Sequence, residues 1–263
     1  MTAQMPAIFV SHGSPMLALD GSPAHHYLQG LADELPRPKD ILVVSAHWET
    51  KAPTVSTVAV PETIHDFGGF APELYEMQYP APGAPDLGAR TAALLEDAGF
   101  EVGRSPSRGL DHGAWVPLRL IYPDADIPVT QLSVQPDLGP KHHLQLGRAL
   151  RPLREQGTLV LASGAVTHNL AAFFRGRFAV DAAAPDWVRE FAEWVAAAIR
   201  DGRVNDLLNY RDIAPFGAEN HPTDEHFLPL FVALGAASDG MESTRMHESY
   251  AYGILAMDVY GVN

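Results

Sequence analysis

The sequence contains no cysteine. That excludes disulfides, thiolate metal sites, iron–sulfur clusters and cysteine nucleophiles together, so any metal ion must be held by His, Asp or Glu. No apolar run approaches the roughly 18 uninterrupted residues that a membrane span needs. Positive charge is scarce as well: 18 Lys and Arg stand against 32 Asp and Glu, a net charge of -14 at pH 7. A phosphate-backbone partner needs clustered Lys and Arg, so nucleic acid is excluded, and an anionic membrane surface would repel the chain. Residues 1–6 have neither the basic segment nor the apolar core of an export signal, and the expected location is the cytoplasm. The G-x-G-x-x-G, P-loop, H-E-x-x-H and G-x-S-x-G signatures are all missing. Ser163-Gly164 follows an apolar run, but nothing else supports a hydrolytic triad.

What is present describes an ordinary globule. Of 263 residues 46% are hydrophobic and 19% charged, enough apolar material for a large core. There is no internal repeat, low-complexity tract or linker, so residues 1–263 are expected to form one domain. The clearest pattern is an apolar run that stops just short of a histidine. It occurs at Leu42-Val43-Val44-Ser45-Ala46-His47, at Ala7-Ile8-Phe9-Val10-Ser11-His12, and with a longer spacer at Thr158-Leu159-Val160-Leu161-Ala162 before His168. Such runs read as strands buried on both faces, the pattern of a mostly parallel sheet flanked by helices. In α/β folds of this kind the ligand crevice lies outside the carboxyl ends of the strands, where these histidines fall.

The remaining elements follow from spacing and breakers. Helices are expected over 24–35, stopped by Pro36 and Pro38, over 87–98, stopped by Gly99, and over 141–156 with an interruption near Pro152. Trp187, Phe191, Trp194, Val195 and Ile199 mark an amphipathic helix over 187–199. A short helix is read over 116–121 after a turn at 109–115, and a helix over 226–236 whose N-terminus Thr223-Asp224-Glu225 can cap. Further strands are expected over 55–60, 127–134 and 250–259. The coarse order is βαβ, repeated. Between 61 and 85 runs a long irregular stretch dense in Pro, Gly and aromatics, a length that in a compact domain is more often functional than idle.

Twelve histidines are present, and their placement matters more than their number. A single histidine at a strand end is more often a turn residue than a ligand. Three at topologically related strand ends, with His226 at the start of a helix, reverse that weighing, because neutral imidazoles there can converge on one divalent ion such as zinc or iron. His112, flanked by Asp111 and Gly113 and followed by Trp115, fits an acid/base or supporting residue, and a plain turn residue nearly as well. His65-Asp66-Phe67-Gly68-Gly69-Phe70 sets a polar head among aromatics, as a lid over an aromatic substrate would. The tandem pairs His25-His26 and His142-His143 read as solvated helix faces, and His221 and His247 as loop residues without an assigned role.

Taken together, Ser11-His12-Gly13-Ser14-Pro15, Ser45-Ala46-His47-Trp48, Ile64-His65-Asp66-Phe67-Gly68-Gly69-Phe70, Gly109-Leu110-Asp111-His112-Gly113, Val166-Thr167-His168-Asn169-Leu170 and Glu225-His226-Phe227-Leu228-Pro229-Leu230 resemble the 4,5-DOPA extradiol dioxygenase family. That family belongs to the class III extradiol dioxygenases and is related to protocatechuate 4,5-dioxygenase. The resemblance covers nearly the whole chain. It implies that His12, His47 and His226 ligate one divalent metal, with His168 nearby as an acid/base residue or a fourth ligand. It also implies that His112 lines the substrate pocket, and the aromatic stretch with His65 and Phe67 is the expected substrate contact. In the wider class the third ligand is a carboxylate; here the matching segment offers His226 beside Glu225.

The activity implied is insertion of O2 into the ring of a catechol, DOPA-like or a related aromatic diol, so the partners are a small aromatic diol and O2. Relatives in the subfamily are described as zinc-containing, yet zinc has no accessible redox state, which leaves zinc and ferrous iron as the two candidate ions. On this reading His168 accepts a catechol proton and returns it as the O–O bond breaks, and His112 orients a hydroxyl or stabilises developing charge. Two other functions are compatible with the same residues: a zinc-dependent hydrolase, and a non-enzymatic binding protein on the same fold. The particular catechol, the bond cleaved and the oligomeric state stay open.

Overall fold

The computed structural model describes residues 4–176, 178–238, 240 and 242–263. Among them the chain runs β1 (Ala7–Ser11), α1 (Pro23–Glu34), β2 (Asp40–Glu49), β3 (Thr54–Ser56), α2 (Pro72–Glu76), α3 (Pro85–Asp97), β4 (Gly103–Ser105), α4 (His112–Ile121) and β5 (Val129–Val134). It continues with α5 (Gly139–Glu155), β6 (Thr158–Gly164), α6 (Leu170–Gly176), α7 (Asp186–Arg200), α8 (Val204–Leu208), α9 (Tyr210–Ile213) and α10 (Gly217–Asn220). The last elements are α11 (Leu228–Ala236), β7 (Ser243–His247), β8 (Tyr250–Ala251), β9 (Leu255–Ala256) and β10 (Val259–Val262).

Eight strands form one sheet in the order β4-β3-β5-β2-β6-β1-β10-β7. The centre is parallel: β2 pairs with β5 and β6, and β6 with β1. Antiparallel pairing enters at the flanks, where β3 meets β5 and where β10 lies between β1 and β7. The expected α/β fold with a mostly parallel, helix-covered sheet is therefore the observed one. Strand periodicity sends alternate side chains to opposite faces. Ala7, Phe9, Leu42, Val44 and Val160 join the core beneath α3, α5, α7 and α11, while Ile8, Val10, Ile41, Val43 and Leu161 join the core beneath α1 and α4. Both faces are dry, which is why these strands carry continuous apolar runs.

Several boundaries differ from the sequence reading, each for a local reason. The turn expected at 109–115 is in part helix: Asp111 caps α4 by accepting from Ala114 N–H, so His112 opens that helix. The expected break near Pro152 does not occur. Pro152 and Arg148 are exposed, so the carbonyl that loses its partner faces water and α5 continues. The helix expected from 226 begins at Leu228; the Asp224 carboxylate is taken by the Tyr210 hydroxyl and Arg211, and does not cap it. The strand expected over 55–60 ends at Ser56. The single strand expected over 250–259 is instead the β8–β9 hairpin followed by β10, with Tyr252 (φ 52) and Gly253 (φ 67) in left-handed backbone at the hairpin turn. The irregular stretch over 61–85 contains α2 and is tied down. Ile64 N–H donates to Leu110 O (2.7 Å), the Trp115 indole to Ile64 O (3.0 Å) and the Tyr79 hydroxyl to Tyr122 O (3.0 Å).

The tightest helix contact joins α5 and α11 back to back through glycines. A Cβ at Gly147 would stand 2.2 Å from Val232 O, and one at Gly235 2.2 Å from Leu144 O. Gly235→Ala should therefore lower stability by about 1–3 kcal/mol, the usual cost of an inserted methyl in a packed core. Urea denaturation checks this; an unchanged midpoint would mean the two helices separate without cost.

Candidate metal centre

Parallel pairing puts the ends of β1, β2 and β6 on one edge. His12 directly follows β1, and its backbone N–H donates to Gly164 O at the end of β6 (2.9 Å). His47 lies near the end of β2, where the register with β5 shifts between Val44 and Glu49. His226 comes from the segment before α11. Its backbone rests on Gly164, where a Cβ would stand 2.2 Å from His226 O, and Ala165 N–H donates to that same oxygen (2.8 Å). Gly164 thus lets a distant segment seat against a strand end. Gly113 does the same for α4, since a Cβ there would meet Ser45 Oγ at 2.6 Å and His47 Cδ2 at 2.9 Å.

Three ring nitrogens converge at this edge. His47 Nε2 stands 3.0 Å from His12 Nε2 and 3.2 Å from His226 Nε2. The opposite nitrogens are committed elsewhere. His12 Nδ1–H donates to Ser163 Oγ (2.9 Å), which must accept because its own hydroxyl donates to Gly113 O. His226 Nδ1–H donates to the Glu225 carboxylate (2.9 Å), and His47 Nδ1 faces Asp66 Oδ2 at 3.6 Å. With Nδ1 holding the proton, each Nε2 presents a lone pair. Lone pairs that close repel unless a cation lies between them. Nitrogens bound to one ion at 2.0–2.1 Å stand about 2.8–3.4 Å apart at adjacent positions, so the donor set fits a zinc- or iron-sized ion. Hydrogen-bonded Nδ1 atoms behind metal-facing Nε2 atoms are also the usual supporting arrangement of such sites.

Two more histidines flank the cluster. His112 donates both its backbone N–H and its Nδ1–H to Asp66 Oδ1 (2.9 Å each), and its ring centroid lies 3.9 Å from that of His47. His168 stacks on His226, centroids 3.4 Å apart and planes at 12°, with Nδ1 3.8 Å from Glu225. It belongs to a second grouping with Glu225 and His226, and not to the grouping of His12, His47 and His226. A cavity of about 280 Å³ opens on His47, His112, His168 and His226 and is otherwise walled largely by apolar side chains, Phe67 and Phe70 among them. His65 does not line it; that side chain donates to Met77 O (2.9 Å) and packs against Phe67 and Trp115. A larger groove, about 870 Å³, lies elsewhere between α5 and α7 and contains no histidine.

The comparisons with known proteins bear on this edge. Residues 6–262 match the family described as the catalytic LigB subunit of aromatic ring-opening dioxygenase. The chain belongs to that family. Two relatives named 4,5-DOPA dioxygenase extradiol are similar over nearly their whole length. The one from Beta vulgaris is 43% identical over 96% of this chain and 94% of its own, and the one from Escherichia coli K12 is 42% identical over 92% and 88%. The crystal structure of an uncharacterized protein from Escherichia coli K12 superposes with a TM-score of 0.82 at 36% identity, covering 99% of this chain and 100% of that one.

Within this LigB-family chain, supporting residues lay outside sequence reasoning. Asp66 and Ser163 sit 46 and 151 positions from the histidines they hold, so no local pattern links them. Asp111 is fully buried and accepts from Arg108 (2.7 Å), Ser45 (2.6 Å) and Gln131, and Arg108 also donates to His47 O (3.1 Å), which fixes the end of β2. The His142-His143 pair is not a solvated face. His143 is fully buried, accepting from Gln135 N–H (3.0 Å) and donating to Gly139 O (2.8 Å). His221 is buried too, donating to Val166 O (2.7 Å), whereas His247 donates to Ser249 and stacks on Tyr27.

Burial sets the charge state of the cluster. Desolvation, reinforced by neighbouring imidazoles, holds His12 and His226 well below their ordinary range. Burial brings His47 and His168 down to about 4, against the opposing pull of Asp111 and Asp66 on the first and Glu225 on the second. Burial alone would raise Asp66, but the hydrogen bonds from His112 outweigh it and hold that carboxyl at about 2. The cluster is therefore neutral imidazole beside ionised carboxylate at pH 7. Burial also depresses His143 to about 4 and His221 to about 3. As pH falls below 6.5 the unfolded chain takes up protons on these six histidines that the folded chain refuses. Their contribution to stability is complete above pH 6.5 and is lost towards pH 4; Asp258, which burial raises to about 7, works in the opposite direction. The Tm of metal-free protein should accordingly drop by ~5 °C or more between pH 6.5 and 4.5 in calorimetry. A Tm that holds or rises on acidification would mean the imidazoles are charged in the fold.

Proposed function

We propose that this LigB-family dioxygenase is an extradiol enzyme that opens the ring of a catechol, DOPA-like or a related aromatic diol, at one divalent metal held by His12, His47 and His226. The observation that carries the reading is the convergence of three Nε2 atoms at the head of an aromatic-walled cavity, two of them with Nδ1–H already bonded to Ser163 and Glu225 and the third with Nδ1 facing Asp66 at 3.6 Å. A divalent ion there would supply a centre on which both diol oxygens and O2 can meet, and as ferrous iron, unlike zinc, it also supplies the electron transfer that ring opening needs.

The chain's own groups do the rest. Ser163, Glu225 and Asp66 fix the three rings so that their lone pairs face one point, which removes reorganisation when substrate arrives. His168, neutral at pH 7, takes the proton of a catechol hydroxyl at Nε2, since its Nδ1 faces Glu225; that carboxylate 3.8 Å away steadies the resulting imidazolium. The same nitrogen returns the proton later in the cycle. His112, with Nδ1–H anchored on Asp66, offers Nε2 to the second hydroxyl, and Asp66 keeps that ring from turning. Phe67 packs edge-on to His112 at 5.6 Å and walls the cavity beside it, so a ring bound there is flanked by apolar surface. The stacking of His168 on His226, outside the grouping of the three converging nitrogens, supports an acid/base role over that of a fourth ligand.

Metal-stripped protein reloaded anaerobically with ferrous iron should consume one O2 per catechol and give a yellow ring-fission product, while zinc-reloaded protein should consume none. In the iron-loaded His168→Phe variant kcat should fall about 10²–10⁴-fold, the usual worth of a positioned acid/base group, with metal content retained. Loss of metal from that variant would instead make His168 a ligand. No oxygen uptake by the unaltered protein with either ion would turn the reading towards a hydrolase or a binding protein.

A further inference from the structure

One buried histidine has no part in the chemistry above, yet its hydrogen bond leads to the segment that carries His168. His221 is fully buried among Phe191, Tyr210 and Phe227, at ring-centroid distances of 5.7, 5.8 and 4.8 Å. Burial keeps the ring neutral at pH 7, with one proton to place. That proton sits on Nε2, which donates to Val166 O (2.7 Å), while Nδ1 is buried with no hydrogen-bond partner among the described residues. An apolar side chain would fill this aromatic cage without leaving a buried nitrogen unpaired, so packing alone does not account for an imidazole here. What the imidazole supplies is an N–H aimed at Val166 O.

The segment that receives this bond has no ladder of its own. β6 ends at Gly164 and α6 begins at Leu170, so the buried backbone groups between them need separate partners. Val166 N–H donates to Ser11 Oγ (3.2 Å), His168 N–H to Asn220 O (3.0 Å) and the Asn169 amide to Glu219 O (2.6 Å). Residues 219–221 thus grip the His168 segment from one side. Asn220 is itself pinned, since its amide donates to Trp187 O (3.0 Å) and Phe216 O (3.1 Å). The chain then runs on to His226, whose carbonyl accepts from Ala165 N–H (2.8 Å). The two segments are therefore tied at both ends, and between the ties His168 stacks on His226 with centroids 3.4 Å apart. We infer that His221 is a positioning residue: through Val166 O it fixes the segment that carries His168, and so sets where the His168 ring stands at the cavity. Its effect on turnover rests on the reading of His168 as the acid/base group; its effect on geometry does not.

The test separates geometry from turnover. Crystals of zinc-loaded protein, unaltered and His221→Leu, should both hold the ion, and in the variant the His168 ring should leave its stack on His226; a ring that stays in place overturns the inference. With iron-loaded protein and DOPA, His221→Leu should lower kcat about 10–100-fold while KM changes little, because a misplacement of about 1 Å can cost about 10²-fold. His221→Gln, whose amide restores an N–H at similar reach, should keep both the stack and a kcat close to that of the unaltered protein. That variant decides the matter should the leucine variant fail to fold, and a folded glutamine variant without the stack overturns the inference. In a His168→Phe background His221→Leu should change kcat by less than about twofold, since the two residues act through one group; an equal loss in both backgrounds would mean a general structural role and would overturn it. Full turnover by His168→Phe alone would instead remove the acid/base reading of His168, and the crystal comparison decides the role of His221 in either case.

Discussion

Everything at the functional edge depends on where three imidazole protons sit. Ser163 can accept from His12 only because its own hydroxyl is spent on Gly113, and Glu225 can only accept from His226. These bonds fix the tautomers, and the tautomers aim the Nε2 lone pairs at one another. Neutral rings held that way at 3.0 and 3.2 Å are a strained arrangement for a core and a ready one for a cation. The fold maintains it by close packing. Gly164 admits the His226 backbone and Gly113 admits the start of α4, both at distances that a Cβ would forbid.

Around that centre the same burial has two consequences. It strips the histidines of charge, which leaves lone pairs that could bind a cation or accept a proton at neutral pH, and it leaves the carboxylates of Asp66 and Glu225 to orient the rings from behind. Asp66 is the joint between the proposed metal site and the proposed substrate-polarising group, since one oxygen holds His112 and the other faces His47. The aromatic stretch that carries Asp66 also supplies Phe67 and Phe70 to the cavity wall. Its anchoring through Ile64, Trp115 and Tyr79 therefore fixes Asp66 and the cavity wall at once.

Much of this was legible in the chain. A strand buried on both faces has to be a continuous apolar run, so β1, β2 and β6 announced themselves and their terminal histidines with them. The seam between sheet and helices was harder. β7, with the sequence Ser-Thr-Arg-Met-His at the sheet edge, has no buried face to impose a pattern, and the β8–β9 hairpin turns on positive φ angles at Tyr252 and Gly253 that no hydrophobic period encodes. The onset of α11 was misplaced because the Asp224 side chain, an ordinary N-cap by sequence, is captured by Tyr210 and Arg211. His143 looked solvated beside His142, yet its ring closes the turn between β5 and α5 through Gln135 and Gly139. Glu225 stands beside His226 in the chain, but Ser163 and Asp66 come from segments far from the histidines they hold, and only the folded sheet brings them together.

The most direct test of the account is X-ray absorption spectroscopy on protein loaded with one equivalent of ferrous iron, unaltered and with His12, His47 or His226 replaced singly by Ala. The unaltered protein should show imidazole scattering from three rings with iron–nitrogen bonds of about 2.0–2.2 Å, and each replacement should remove one ring's signal and weaken metal retention. Iron that keeps an unchanged coordination sphere in all three variants would contradict it, because the ion would then be bound somewhere other than the point at which these three nitrogens meet.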